Sequence, residues 1–396
     1  MKKSISAVLL LAALSSTPFV FTACSSDDDP IVNPVGDNDD IRENLKGDVK
    51  AGEHLILESG VYKLTGALVV QKGGKLTIKP GVVVEATPYQ DGQEIRYIAV
   101  AQGGQIFSEG TKENPVVFTA TNKTQQAWGG IVLCGSAPIN KGTSANAEVS
   151  GLPYGGSIVD DNSGVVKYTR IEYSGYSYSA DKEFNGLSLF GVGSGTTIEY
   201  VQVHEGSDDG FEFFGGTVNT NHLVSSFNED DQFDWTEGWV GKNENWYAKE
   251  ASSKGNRGIE ADNNSNDHKA GPVSNPTIKN MTLIGRGESG AEPQAMKLRV
   301  GTKAIMDNVV LSNWSVGIDI ENDESIEYVA DGSLKITNVK FDNVTTKSKG
   351  TKTAVGDAAK GESADVSAVY TESETATGAG AGVETPEWAK GWTVGL

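Results

Sequence analysis

GSDDGFEFFGG (residues 206–216) is answered 22 residues later by NEDDQFDWTEG (228–238). In that register Asp208 lies over Asp230, Asp209 over Asp231, Phe211 over Phe233 and Glu212 over Asp234. The frame extends both ways. GLSLFGV (186–192) precedes at an offset of 24, and GIEADNN (258–264) follows at 26. AMKLRVG (295–301) comes after an insertion, and GIDIEND (317–323) fits it at 22. Two apolar columns result. One holds Leu187, Phe211, Phe233, Ile259, Met296 and Ile318, the other Leu189, Phe213, Trp235, Ala261, Leu298 and Ile320. Alternation within each segment, repeated every 22–26 residues, predicts short parallel strands stacked as a β-solenoid.

A second strand type recurs between these: IEYVQV (198–203), IKNMTL (278–283), IMDNVVL (305–311) and ITNVKF (336–341). Upstream, LVVQKGGKLTIKPGVVVEA (68–86) and IAVAQGGQIFSEG (98–110) alternate in the same way, with Gly-Gly turns between strands. One coil cannot bury its inner face alone, whereas stacked coils share a core. The chain is therefore expected to be all-β, a parallel β-helix of about twelve coils and about 55–60 Å in length.

The ends read differently. Residues 1–23 carry Lys2 and Lys3, then a short apolar run from Ala7 to Leu14, then Phe21-Thr22-Ala23 ahead of Cys24. This resembles a bacterial lipoprotein signal, which implies that Cys24 becomes the lipidated first residue. Residues 24–44 are acidic and punctuated by proline, as in a flexible tether. The expected solenoid spans 45–347, and 348–396 is expected to be a loop ending in a docking segment, PEWAKGWTVGL. Beyond Cys24 only Cys134 remains, a small buried apolar residue in expectation. A net charge of −20 repels nucleic acid and anionic headgroups. Contact with a membrane is expected through the N-terminal lipid alone.

The segments GGKLTIKPGVVVEA (73–86), GTKENPVVFTA (110–120), WGGIVLCGSAPIN (128–140), VVKYTRIEYSG (165–175), GSGTTIEYVQV (193–203) and DDGFEFFGGTV (208–218) together resemble a family of Bacteroidota surface lipoproteins. That resemblance runs over about residues 45–345 and implies a right-handed parallel β-helix, lipid-anchored in the outer membrane. The SSDDD after Cys24 resembles the acidic tag that sends such lipoproteins to the cell exterior. The family brings no assigned activity.

Between the apolar columns, the outward position reads Ser188, Glu212, Asp234, Glu260, Lys297, Asp319, and the next reads Phe190, Phe214, Thr236, Asp262, Arg299, Glu321. Neighbouring rungs place such side chains about 5 Å apart. The later rungs alternate acid, base, acid and neutralise themselves. The earlier rungs stack Glu212, Asp234 and Glu260, with Asp208, Asp209, Asp230 and Asp231 at the turns before them. Like charges across strands are destabilising. A bound Ca²⁺ would offset them; so would raised pKa values, Arg257 or Lys254, or the amides of Asn228 and Asn256. The turn aspartates also suit Asx turns.

Parallel β-helices host polysaccharide lyases and glycoside hydrolases, so a catalytic reading stands beside the metal one. Glu212, Asp234 and Glu260 would then supply the paired acids and Arg257 a base. The polygalacturonase-type set is incomplete: SDDG is present, while no Gly-His-Gly and no Arg-x-Lys follow. His204 and His222 flank the acids. Phe214, Trp239, Trp246 and Tyr247, with Tyr173, Tyr176 and Tyr178, are candidates for stacking on sugar rings. The sequence thus points first to a surface lipoprotein that binds or adheres to glycans without catalysis, with Ca²⁺ assisting. A carbohydrate-active enzyme and a purely structural surface protein are the alternatives.

Overall fold

The computed structural model describes residues 34–396, apart from 36–38, 91, 180–181, 288–291, 357–359 and 381. The signal segment, Cys24 and most of the 24–44 tether lie outside the described residues. The chain from residue 34 is a right-handed parallel β-helix. Its first stack joins Leu45–Val49 to Leu334–Thr351 through a single ladder of outward residues: Asp48, Val69, Ala99, Val132, Ser188, Glu212, Asp234, Glu260, Lys297, Asp319, Lys349. Eleven such rungs at the usual strand spacing span about 48 Å. Both predicted apolar columns point inward, and every one of their twelve side chains is fully buried.

The other strands explain how each coil turns. Asn219–Ser226 is continuous in hydrogen bonding yet bends at His222, whose φ is +58°. The same corner recurs at Tyr168, Tyr200, Asn245, Asn280, Asn308 and Asn338, all with positive φ. Left-handed backbone is uncommon outside glycine, and asparagine tolerates it best. Stacking supports the corners in two ways. Early coils stack rings, Tyr168 on Tyr200 at 4.4 Å and Tyr200 on His222 at 4.2 Å. Later coils stack amides, with Asn280 donating to Asn245 Oδ1 at 3.2 Å and Asn308 to Asn280 Oδ1 at 2.8 Å.

The ends differ from the sequence reading. Order begins before Leu45: Pro34–Val35 pairs with His54 and Leu55, and a short helix spans Asp39–Glu43. Arg42 fixes this entry by donating to Ser59 O at 2.5 Å and lying 4.9 Å over the Tyr62 ring. At the other end the last coil runs past 347 to Thr351, and the expected loose loop instead carries Ser363–Ala364, a 3-10 turn at Ser367–Val369 and Tyr370–Glu372. Val366 and Val369 are the reason, since both bury their side chains in the core. PEWAKGWTVGL returns to the wall of the solenoid. Trp392 is fully buried beside Val224 and Tyr247, and Gln202 exchanges hydrogen bonds with Val394 N (2.9 Å) and O (2.8 Å).

Candidate functional site

Three consecutive coils build the acidic site. In two of them a left-handed corner, Glu205 (φ +53°) or Phe227 (φ +62°), turns the chain into a short loop before the next strand. Asn228, fully buried, holds these loops together. It accepts the Gly206 N–H at 2.7 Å and donates to Ser225 Oγ at 2.8 Å. Gly210 lets the loops nest, because a Cβ there would lie 2.2 Å from Ser225 Oγ and 2.7 Å from Gln232 O. The aspartates then link coil to coil. Asp209 Oδ1 accepts the Asp231 N–H at 2.9 Å, and Asp231 Oδ1 accepts the Arg257 N–H at 2.8 Å. They therefore bond to the backbone of the next coil and not to their own turns.

All seven acids singled out in the sequence converge. Oxygens of Asp208, Asp209 and Asp230 lie within 4.8 Å of one another, as do those of Asp209, Glu212 and Asp234, and those of Asp231, Asp234 and Glu260. The three sets share Asp209 and Asp234, so they form one continuous cluster. Burial is the first cause of its electrostatics. It pushes Asp208 up to about 8, helped by the charges of Glu183 and Asp230. It also raises Glu212, with Glu148 and Asp208 adding to the effect, and Asp234, with Glu212 and Glu260 adding. Asp209 and Asp231 are raised too, Asp231 against the opposing pull of Arg257.

Countercharge reaches only one end of the cluster. Arg257 pairs with Asp231 at 3.2 Å, with Glu260 at 2.7 Å and with Glu292. Arg299 pairs with Glu260 at 2.5 Å and Asp262 at 2.7 Å. Among the described residues no salt bridge reaches Asp208, Asp209, Glu212, Asp230 or Asp234. Amides reach two of them: Asn185 donates to Glu212 at 2.5 Å and Asn256 to Asp230 at 2.6 Å. Lys254 turns to Glu229 and Gln125, and Asn228 serves the loop backbone.

The donor set fits a hard divalent cation, which takes six to eight oxygens, many of them carboxylate. Buried oxygens at the cluster without a hydrogen-bond partner include Asp234 Oδ1, Asn185 Oδ1 and Asn256 Oδ1. A buried acceptor without a partner is costly unless an ion, a proton or a water meets it. Asn185 was missed in the sequence, although its signal was there: at the offset of 24 it stands in the place of Asp209. An open cavity of about 390 Å³ adjoins the acids, lined by Lys254, Asn256, Arg286 and Glu292, and Asn256 serves both.

Four of the expected glycan contacts are corrected. Trp239 and Trp246 are fully buried inside the solenoid, stacked on Phe213 at 3.9 Å and on Phe233 at 4.2 Å. Their indole N–H groups are satisfied there, by Val218 O at 3.1 Å and Thr220 Oγ1 at 2.9 Å, so the rings cost nothing polar to bury. Tyr247 faces outward on its strand but is covered by Trp392 and the C-terminal segment. Phe214 stacks on Phe190 at 4.0 Å beneath the loop that carries Ile139, Val149 and Tyr154. That loop also covers Cys134.

The histidines do not join the acids. His204 is buried against Ser226 Oγ at 2.9 Å, with burial lowering its pKa to about 4, and His222 belongs to the ring ladder. The later rungs neutralise themselves: Arg299 pairs with Asp262 as expected, while the other partners differ from the expected ones. Asp319 pairs with Lys349 at 2.9 Å, and Lys297 with Glu321 at 3.7 Å.

Comparison with curated proteins and with solved structures finds no match. A family profile does match, over residues 47–393, and describes a pectate-lyase-like β-helix domain. That span takes in the solenoid, the acidic cluster and most of the C-terminal segment, and the fold is compatible with a carbohydrate-related function. The chain belongs to the pectate-lyase-like β-helix family.

Proposed function

We propose that this protein is a carbohydrate-binding module without catalytic turnover, in which the seven-carboxylate cluster holds Ca²⁺ and the cation takes part in holding the glycan. One observation carries the reading: five of the seven acids converge within a buried cluster with no cationic partner among the described residues. Asp209 and Asp231 are tied to backbone N–H groups, and Arg257 is held by three carboxylates. A rigid frame of this kind suits a cation cage. It leaves Arg257 poorly placed to act as a base, which needs to be free of carboxylate partners. Bound Ca²⁺ would supply a positive centre for sugar hydroxyl or carboxylate oxygens. The resemblance of residues 1–24 to a lipoprotein signal, with the acidic residues after Cys24, supports a location on the outer surface of the outer membrane in this reading.

The test is retention of the protein on a panel of immobilised polysaccharides, with millimolar Ca²⁺ and then with EDTA. Ca²⁺-dependent retention that Glu212→Gln/Asp234→Asn abolishes is the expected result. If no polysaccharide of the panel shows a part of its retention that needs both Ca²⁺ and the two carboxylates, the reading is contradicted.

A catalytic alternative has one observation in its favour. Glu212 and Asp234 present oxygens within 4.8 Å of each other, and burial raises both pKa values, which suits the general acid of a glycosidase pair, while its partner would have to be ionised. Release of reducing ends or unsaturated products by the wild type, and loss of that turnover in Asp234→Asn, would establish it.

A further inference from the structure

The aromatic residues that remain accessible lie elsewhere, one loop away from the acids. Tyr178 is 49 % exposed. It stands on a hairpin, Ser177–Ser179 paired with Lys182–Glu183, and stacks at 5.6 Å on the buried ring of Phe184. Tyr176 lies edge-on to it at 6.3 Å and packs against Tyr89 at 5.1 Å. All three tyrosines are therefore backed by other rings and fixed in place, with Tyr176 and Tyr89 half-buried.

Next to Tyr89 opens a cleft of about 600 Å³, whose lining includes Lys46, Thr87, Gln90, Gln93, Glu94 and Arg96. Arg96 shapes it. The residue is 4 % exposed, and its guanidinium donates to Gln93 Oε1 at 2.6 Å, Glu94 O at 2.7 Å and Thr87 Oγ1 at 3.3 Å, while lying 5.8 Å over the Tyr89 ring. One buried cation thus orders the polar wall and one aromatic ring together, before any ligand arrives. Preorganisation of this kind lowers the ordering cost of binding. Arg96 both lines the cleft and lies over Tyr89, which carries the run of rings through Tyr176 to Tyr178 from its edge.

Fixed amphipathic rings beside amides, hydroxyls and one carboxylate match a sugar: the ring faces take its apolar C–H face, and the polar wall takes its hydroxyls. We infer that Tyr89, Tyr176 and Tyr178, with the wall of Gln90, Gln93, Glu94 and Arg96, form a second carbohydrate subsite for neutral pyranosides. The inference rests on the proposed carbohydrate-binding function and not on the cation. The two subsites are joined through one segment, since Phe184 supports Tyr178 and the next residue, Asn185, donates to Glu212. A glycan long enough to reach both would lie along the solenoid axis.

Migration in native gels containing neutral galactomannan, xyloglucan or mixed-linkage β-glucan tests this, with EDTA present throughout so that the acidic cluster is silent. The wild type is expected to be retarded by at least one of the three. Tyr178→Ala and Tyr176→Ala should each weaken that retardation about tenfold, and Glu212→Gln/Asp234→Asn should leave it unchanged. Tyr178→Phe, which keeps the ring, should retain most of it. An absence of retardation by all three polymers overturns the subsite, and so does retardation that survives both tyrosine truncations. Neither result touches Ca²⁺-dependent retention at the acids. Conversely, tyrosine-dependent retardation that persists when Ca²⁺ has no effect on the protein would leave the subsite standing and remove the cation cage.

Discussion

Two stretches of one ladder face the same way and are built from the same residue types, yet they are balanced differently. From Glu260 onward each acid meets a base: Glu260 and Asp262 share Arg299, and Asp319 has Lys349. In the two coils before it, Asp208, Asp209, Glu212, Asp230 and Asp234 crowd together with amides and one another. Fold alone does not demand this, because the balanced half shows that the same rungs accept Arg and Lys. The earlier half is thus a group of uncompensated carboxylates that could hold a metal ion, which is what the proposed function asks of it.

The comparison breaks hardest at Arg257, which stands at its boundary. Arg257→Met leaves Asp231 and Glu260 buried without their shared cation, and breaking a buried pair in this way costs about 3–5 kcal/mol. Urea unfolding should show it. Arg299→Ala, in the balanced half, removes charged hydrogen bonds from Glu260 and Asp262 and should cost about 2 kcal/mol by the same assay.

The pH profile sharpens the contrast next. Folded Asp208 titrates at about 8 against an ordinary 3.8, and Asp209, Glu212, Asp231 and Asp234 are raised in the same sense. The native state therefore holds more protons than the unfolded chain between those limits. This contribution to stability is complete below the ordinary carboxylate range and is lost as pH rises towards 8. In EDTA the melting temperature should fall across that window, and saturating Ca²⁺ should flatten the fall.

Smaller effects separate the halves by sign. Asp234→Asn should raise metal-free stability by about 1 kcal/mol, by relieving like-charge repulsion. Lys347→Ala, which removes an exposed pair with Glu372, should leave it unchanged and serves as a baseline.

Much of this was legible in the chain. The repeat frame placed Leu187 to Ile320 inside and Glu212 above Asp234 above Glu260, because a strand has period two and a parallel stack has fixed register. The same frame brought all seven acids together. It did not show which aromatics stay outside. Trp239, Trp246 and Tyr247 sit in segments whose facing depends on a left-handed corner at Asn245 and on a C-terminal segment that arrives more than a hundred residues later. Tyr178 and the wall beside Arg96 were equally hidden as a pair, since residues 87–96 and 176–178 meet only once the coils stack. Periodicity reports what lies under the wall of a solenoid, and long-range docking decides what covers it.

The most direct test of the central claim is the melting temperature of the chain from residue 25 onward, in EDTA and in millimolar Ca²⁺, for the wild type and Glu212→Gln/Asp234→Asn. Binding to the folded state raises apparent stability by mass action. A rise with Ca²⁺ that the double substitution abolishes, in a variant more stable than the wild type in EDTA, is the predicted result. No response to Ca²⁺ in the wild type, with the variant less stable in EDTA, would contradict the account.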